Sequence, residues 1–121
     1  MVETHHITRD NRAPARAREA IEQLSSRIDP SIVPDAKLLI SEIVTNSVKY
    51  GRGDLRLHFH VDGTRLRCEV VDDGTGFTPS ARTKPSTEVG GWGLYLVESL
   101  ADRWGVRDGS THVWFELDAS S

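Results

Sequence analysis

The sequence predicts an α+β domain: a two-layer sandwich in which a mostly antiparallel, mixed sheet carries about three helices on one face. Three observations lead there. Two stretches with helical spacing come early, one built on Ala13, Ala17, Ala20, Ile21, Leu24 and Ile28, the other on Leu39, Ile40, Ile43, Val44 and Val48. Two strictly alternating stretches, LRLHFHV (55–61) and RLRCEVV (65–71), are then joined through Asp-Gly-Thr, a hairpin signal. The alternation leaves one strand face apolar and the other polar, as expected of a sheet covered on one side only.

The elements follow in order. THHIT (4–8) reads as a short edge strand, in which His5 and His6 point to opposite faces and so do not form a metal pair. DNRAPARAREAIEQLSSRI (10–28) reads as the first helix, with Asp10 or Asn11 to cap it and Pro14 near its first turn. DPSIVP (29–34) breaks the chain, and a second helix runs from about Asp35 to Tyr50, with Gly51 as its stop. In the hairpin Leu55, Leu57, Phe59 and Val61 share one face; Arg56, Arg65, Arg67 and Glu69 fall on the outer one and read as solvated charges. Cys68 alternates with Leu66 and Val70, which makes it a core thiol. After VVDDGTGF (70–77), the segment TPSARTKPSTEV (78–89) is polar and rich in Pro, Ser and Thr, and reads as a mobile loop. A third helix is expected from about Gly93 to Arg103, with Leu94, Val97, Leu100 and Ala101 as its apolar stripe. WGVRDGSTHVWFEL (104–117) closes the chain with two strands around an Asp-Gly turn.

A chain of 121 residues is expected to form one domain spanning residues 1–121. Net charge is −3, from 15 basic and 18 acidic residues, which argues against direct nucleic-acid binding. No apolar run reaches the length of a membrane span, and the N-terminal stretch lacks a signal-peptide core, so a cytoplasmic location is expected. The single cysteine has no internal disulfide partner.

Three stretches could carry chemistry. Glu42 and Asn46 lie one turn apart on the second helix, Lys49 shares their side, and this polar trio flanks the apolar stripe. Alone, that is either a ligand-facing rim or a solvated helix face. GGWG (90–93) places Gly90, Gly91 and Gly93 at a helix start, where free N–H groups suit phosphate. Leu96 stands where a dinucleotide fingerprint needs its third glycine, and no Walker-type loop is present. Asp72, Gly74 and Gly76 follow a strand; a carboxylate there can accept from the amine of a flat ligand lying on the glycines, or the stretch is a plain turn. A calcium loop fails, because Thr83 occupies the position of the required acidic ligand.

Taken together, Glu-x-x-x-Asn on a helix, Asp-x-Gly-x-Gly after a strand and Gly-x-Gly-Leu opening a helix resemble the boxes of the GHKL ATP-binding superfamily, which includes DNA gyrase, sensor histidine kinases and mismatch-repair ATPases. The likeness spans Ala13 to Leu117. LLISEIVTNSVKYG and GLYLVESLADRWGV…VWFEL are similar to the stand-alone bacterial anti-sigma factor serine/threonine kinases. Thr111-His112 departs from the Lys-Thr frequent there, so no adenine-contacting threonine is carried over.

The resemblance implies the GHKL (histidine-kinase-like) fold, ATP binding and Mg²⁺. Asn46 would hold the metal, Glu42 would activate the attacking group, and Asp72 would read the adenine amine. Gly74 and Gly76 would let the base lie flat. A lid at about 77–92 and the helix start at Gly91, Gly93 and Leu94 would wrap the triphosphate. Lys49, Arg82 and Lys84 would be phosphate neighbours. The implied function is an anti-sigma factor that is also a protein kinase, phosphorylating a serine or threonine of an anti-sigma factor antagonist. Its partners would be that antagonist and a sigma factor, with a homodimer left open. The alternative is a non-catalytic module that uses ATP only to shape a partner-binding surface. A detached sensor-kinase domain fits less well, because His5, His6, His58, His60 and His112 all fall on expected strands or turns rather than on a phosphoacceptor helix.

Overall fold

The computed structural model describes residues 2–73, 97, 99–106 and 112–119. The elements are β1 (Val2–Ile7), α1 (Ala13–Gln23), a 3₁₀ turn (Pro30–Ile32), α2 (Val33–Tyr50), β2 (Leu55–Asp62), β3 (Arg65–Val71), β4 (Arg103–Val106) and β5 (Val113–Asp118). The strands form one sheet in the order β1-β2-β3-β5-β4, and every described pairing is antiparallel. Val97, Ser99 and Leu100 are helical.

The core lies between the sheet and the helices. Leu55, Leu57 and Phe59 of β2, Leu66, Cys68 and Val70 of β3, and Val113, Phe115 and Leu117 of β5 are all buried, as the period-two pattern requires. Against them lie Leu39, Ile40, Ile43 and Val44 of α2. α1 presents a stripe of small residues, Ala13, Ala17 and Ala20, which lets its axis come close to α2. Val97 is fully buried and joins the same core.

The boundaries differ from the expected ones for local reasons. α1 ends at Gln23, because Leu24, Ser25 and Arg27 each donate to a carbonyl three residues back and tighten the chain into turns. Leu24 and Ile28 remain buried although they are no longer helical. The helix is not capped by the side chain of its N-cap residue, Arg12; Asp10 instead accepts from the Arg12 N–H at 2.8 Å. α2 begins two residues early, with Pro34 in its first turn, where a missing N–H costs nothing. The third helix does not reach Arg103, which starts β4; the segments 93–96 and 107–111 lie outside the described residues. The β2–β3 turn closes at Gly63, whose φ of +61° is the left-handed conformation a tight hairpin needs.

The outer face of the sheet is not a set of separately solvated charges. Arg67 donates to Glu69 at 2.9 Å and to Glu116 at 3.2 Å, Arg103 to Glu116 at 2.5 Å and Asp118 at 2.8 Å, and Arg65 to Asp118 at 2.8 Å. His112 Nε2 sits 2.8 Å from Glu69 Oε1. The Arg67 guanidinium stacks 4.1 Å from the centroid of the Trp114 ring, which itself lies over Gly105. Partial burial pushes the Glu69 carboxyl up, but hydrogen bonds and charge from Arg67 and His112 outweigh it and hold the group below its ordinary value. Cross-strand register joins these residues: Arg67 faces Glu116, and Glu69 faces Trp114.

Candidate functional site

The second half of α2 and the end of β3 meet through one buried carboxylate. Asp72 follows the last residue of β3, and its side chain is 0% exposed. Moving a carboxylate out of water costs several kcal/mol unless it is paired and hydrogen-bonded. Here Ser47 Oγ, on α2, donates to Oδ2 of Asp72. The Arg9 guanidinium approaches the same oxygen, with Nη2 at 3.4 Å. That contact is ionic rather than a hydrogen bond, since Nη2 has no hydrogen-bond partner among the described residues. The other nitrogens of Arg9 tie down the surroundings. Nη1 donates to the Ser47 carbonyl and to Ser47 Oγ at 3.3 Å, and Nε donates to the Gly53 carbonyl at 3.1 Å. A cation against a carbonyl in the last turn of α2 also suits the helix dipole.

Gly51 makes this closeness possible. It ends α2, but with φ −88° and ψ −173°, an extended conformation that any residue adopts. What excludes a side chain is space: a Cβ there would lie 1.8 Å from Asp72 Oδ2 and 2.7 Å from the Ser47 carbonyl oxygen. Gly53, at φ +69°, turns the chain next to Asp73. The two adjacent aspartates therefore divide their work. Asp72 points inward, while Asp73 fastens the 51–54 turn: its N–H donates to the Arg52 carbonyl at 2.7 Å, and its carboxylate accepts from the Asp54 N–H at 3.1 Å and from Arg56 at 3.3 Å.

On α2, Asn46 is buried, at 8% exposed, rather than on the rim of the apolar stripe, and its Oδ1 has no hydrogen-bond partner among the described residues. A buried acceptor left unmatched costs about 1–3 kcal/mol. An orphaned hard oxygen fits a hard cation that brings its own water and anionic oxygens. Glu42, one turn earlier, is half-buried, and Lys49 is exposed. Ser47, the neighbour of Asn46, is the residue that links this helix to Asp72. Gly74, Gly76, Gly91, Gly93 and Leu94 lie outside the described residues, as do the lid with Arg82 and Lys84, and Thr111. His112 is described and belongs to the outer-face network through Glu69.

Arg9, Ser47 and Gly51 were not among the expected site residues. Ser47 had a faint signal, a hydroxyl beside Asn46; Gly51 read only as a helix stop; and Arg9 had none, since it comes from the connection between β1 and α1.

The histidine kinase-like ATPase domain family matches residues 7–117. The chain is 30% identical over 86 residues to the serine-protein kinase RsbW of Listeria innocua, covering 58% of this chain and 55% of that protein. It is 31% identical over 105 residues to the anti-sigma F factor of Clostridium novyi, covering 71% and 70% respectively. With the anti-sigma F factor of Clostridium acetobutylicum it shares 28% identity over 99 residues, covering 71% and 69%. The chain thus spans little more than half the length of the Listeria relative. The family match runs from the last residue of β1 to the penultimate residue of β5 and takes in both Asn46 and Asp72. On that extent of likeness, the chain belongs to the histidine kinase-like ATPase domain family, within which it is similar to the bacterial anti-sigma F factors.

Proposed function

We propose that this protein binds Mg-ATP, transfers the γ-phosphate to a serine or threonine of an anti-sigma factor antagonist, and binds a sigma factor, in the cytoplasm. The observation that carries the reading is the conjunction at the end of α2: an orphaned Asn46 Oδ1 next to a serine that clamps the buried Asp72. In this reading Asp72 accepts from the exocyclic amine of adenine, and Gly74 and Gly76 let the base lie against the backbone. On the same reading Gly91, Gly93 and Leu94 would meet the phosphates, and Lys49 would add positive charge beside them. Asn46 would hold Mg²⁺, which when bound neutralises charge on the phosphate oxygens.

Glu42 takes the proton of the attacking hydroxyl as the oxygen bonds to the γ-phosphorus; the bond from that phosphorus to the bridging oxygen breaks, and ADP leaves with the electron pair. Names of relatives support the partner assignment: one is a serine-protein kinase and others are anti-sigma F factors. The test incubates the protein with γ-labelled ATP and candidate antagonist proteins. Label should appear on an antagonist serine or threonine, and Glu42→Ala should abolish the transfer while ATP affinity stays within about threefold, because a base acts mainly in the transition state. Equal transfer by Glu42→Ala would remove its role. ATP binding without transfer to any antagonist would favour the non-catalytic module.

A further inference from the structure

We infer that Arg9 is a specificity-determining positioning residue, which holds Asp72 as a charge-paired, rotationally fixed acceptor and so makes the site prefer adenine over other bases. The inference rests on the reading of Asp72 as the base-contacting group and goes one layer behind it. A carboxylate with no solvent exposure discriminates between bases only if it keeps both its charge and its plane. Arg9 provides for both. Its cation lies 3.4 Å from Oδ2, and its remaining nitrogens reach Ser47, which itself donates to that oxygen, and the Gly53 carbonyl. One guanidinium thus connects the β1–α1 connection, the last turn of α2 and the turn before β2, all around a single carboxylate oxygen. Lysine has a point charge and no planar set of donors, so it can supply the counter-charge but not the connection.

Inosine triphosphate is the informative probe, because it carries a carbonyl oxygen where ATP carries the exocyclic amine. A fixed carboxylate accepts from the amine and repels the carbonyl. Affinities of ATP and inosine triphosphate, with Mg²⁺, are measured by calorimetry for wild type, Arg9→Met, Arg9→Lys and Ser47→Ala, with circular dichroism confirming the fold. Wild type should prefer ATP by about tenfold or more. In Arg9→Met that preference should fall to within about threefold, through loss of ATP affinity, while inosine triphosphate affinity changes little. Arg9→Lys should recover part of it. Ser47→Ala keeps the arginine and removes the hydroxyl that donates to Asp72, so it should lower the preference in the same direction even if Arg9→Met does not fold. Undiminished preference in Arg9→Met and Ser47→Ala, or equal loss for both nucleotides, would overturn the inference. A wild type that binds the two nucleotides equally would instead overturn the assignment of Asp72 to the base.

Discussion

Gly51→Ala tests the close approach at the end of α2. The backbone there is extended, so alanine adds no conformational strain. It adds one methyl group, whose carbon would lie 1.8 Å from Asp72 Oδ2 and 2.7 Å from the Ser47 carbonyl oxygen. Ordinary contact requires the carboxylate to retreat by about 1.5 Å. The retreat takes Oδ2 away from the Ser47 hydroxyl and from Arg9 together, and the helix carbonyl cannot yield without disturbing the bond it accepts from the Gly51 N–H at 2.8 Å. Overpacking costs about 1–3 kcal/mol, and separating a buried ion pair costs about 3–5 kcal/mol. Partial relaxation of the turn leaves about 2–4 kcal/mol, large against the total stability of a small domain. Urea denaturation of the two proteins at equal pH measures it, and calorimetry with ATP should show affinity falling in parallel. An unchanged urea midpoint with unchanged ATP affinity would refute the argument, since it would mean that the carboxylate has room to move at no cost.

The remaining predictions concern a ligand site and acid stability. Asn46→Ala should lose Mg-dependent ATP affinity while leaving the stability measured by urea within about 1 kcal/mol of wild type, because the acceptor it removes has no hydrogen-bond partner among the described residues; a large loss of stability would show that Asn46 is structural instead. Burial first of all holds His58 below its ordinary value of 6.5, with Glu69 opposing and Arg56, His112 and His60 adding to the depression. A depressed pKa contributes stability above the unfolded value and loses it as pH falls through the folded one, so the urea midpoint should drop between about pH 7.5 and 5.5, and His58→Gln should flatten that part of the profile. Glu69 and Glu116, both held below 4.5, then give a second loss in stronger acid. Identical profiles for wild type and His58→Gln would refute the assignment to His58.

Periodicity made most of the fold legible. The apolar positions of α1, α2, β2, β3 and β5 alternate or recur as their burial does, because each element needs one face against the core. It misled at the end of α1, where Leu24 and Ile28 are buried at helical spacing but in turns, since burial and helicity are separate demands. On the outer face the pattern announced polar residues without saying which would meet; that depends on strand register, which brings Arg67 opposite Glu116. Asn46 and Asp72 stood out by residue type and spacing. Arg9 did not, since an arginine between two elements has no local signature, and its partners lie far along the chain.

Those separations say when the site can come into existence. Arg9 reaches its carbonyl partners across 38 and 44 residues, and Ser47 reaches Asp72 across 25. Of the strand pairings, β2–β3 and β4–β5 are local; β1 joins β2, and β3 joins β5, from far apart in the chain. Closing such loops costs chain entropy before any contact returns it, so non-local pairings lag behind hairpins and helices. A chain emerging from the ribosome can form α1 and α2 early, yet on the proposed reading of Asp72 it has no base seat until residue 72 is out and β1 has docked. On that reading, nucleotide competence is a property of the finished tertiary structure, and a half-folded molecule is blind to ATP.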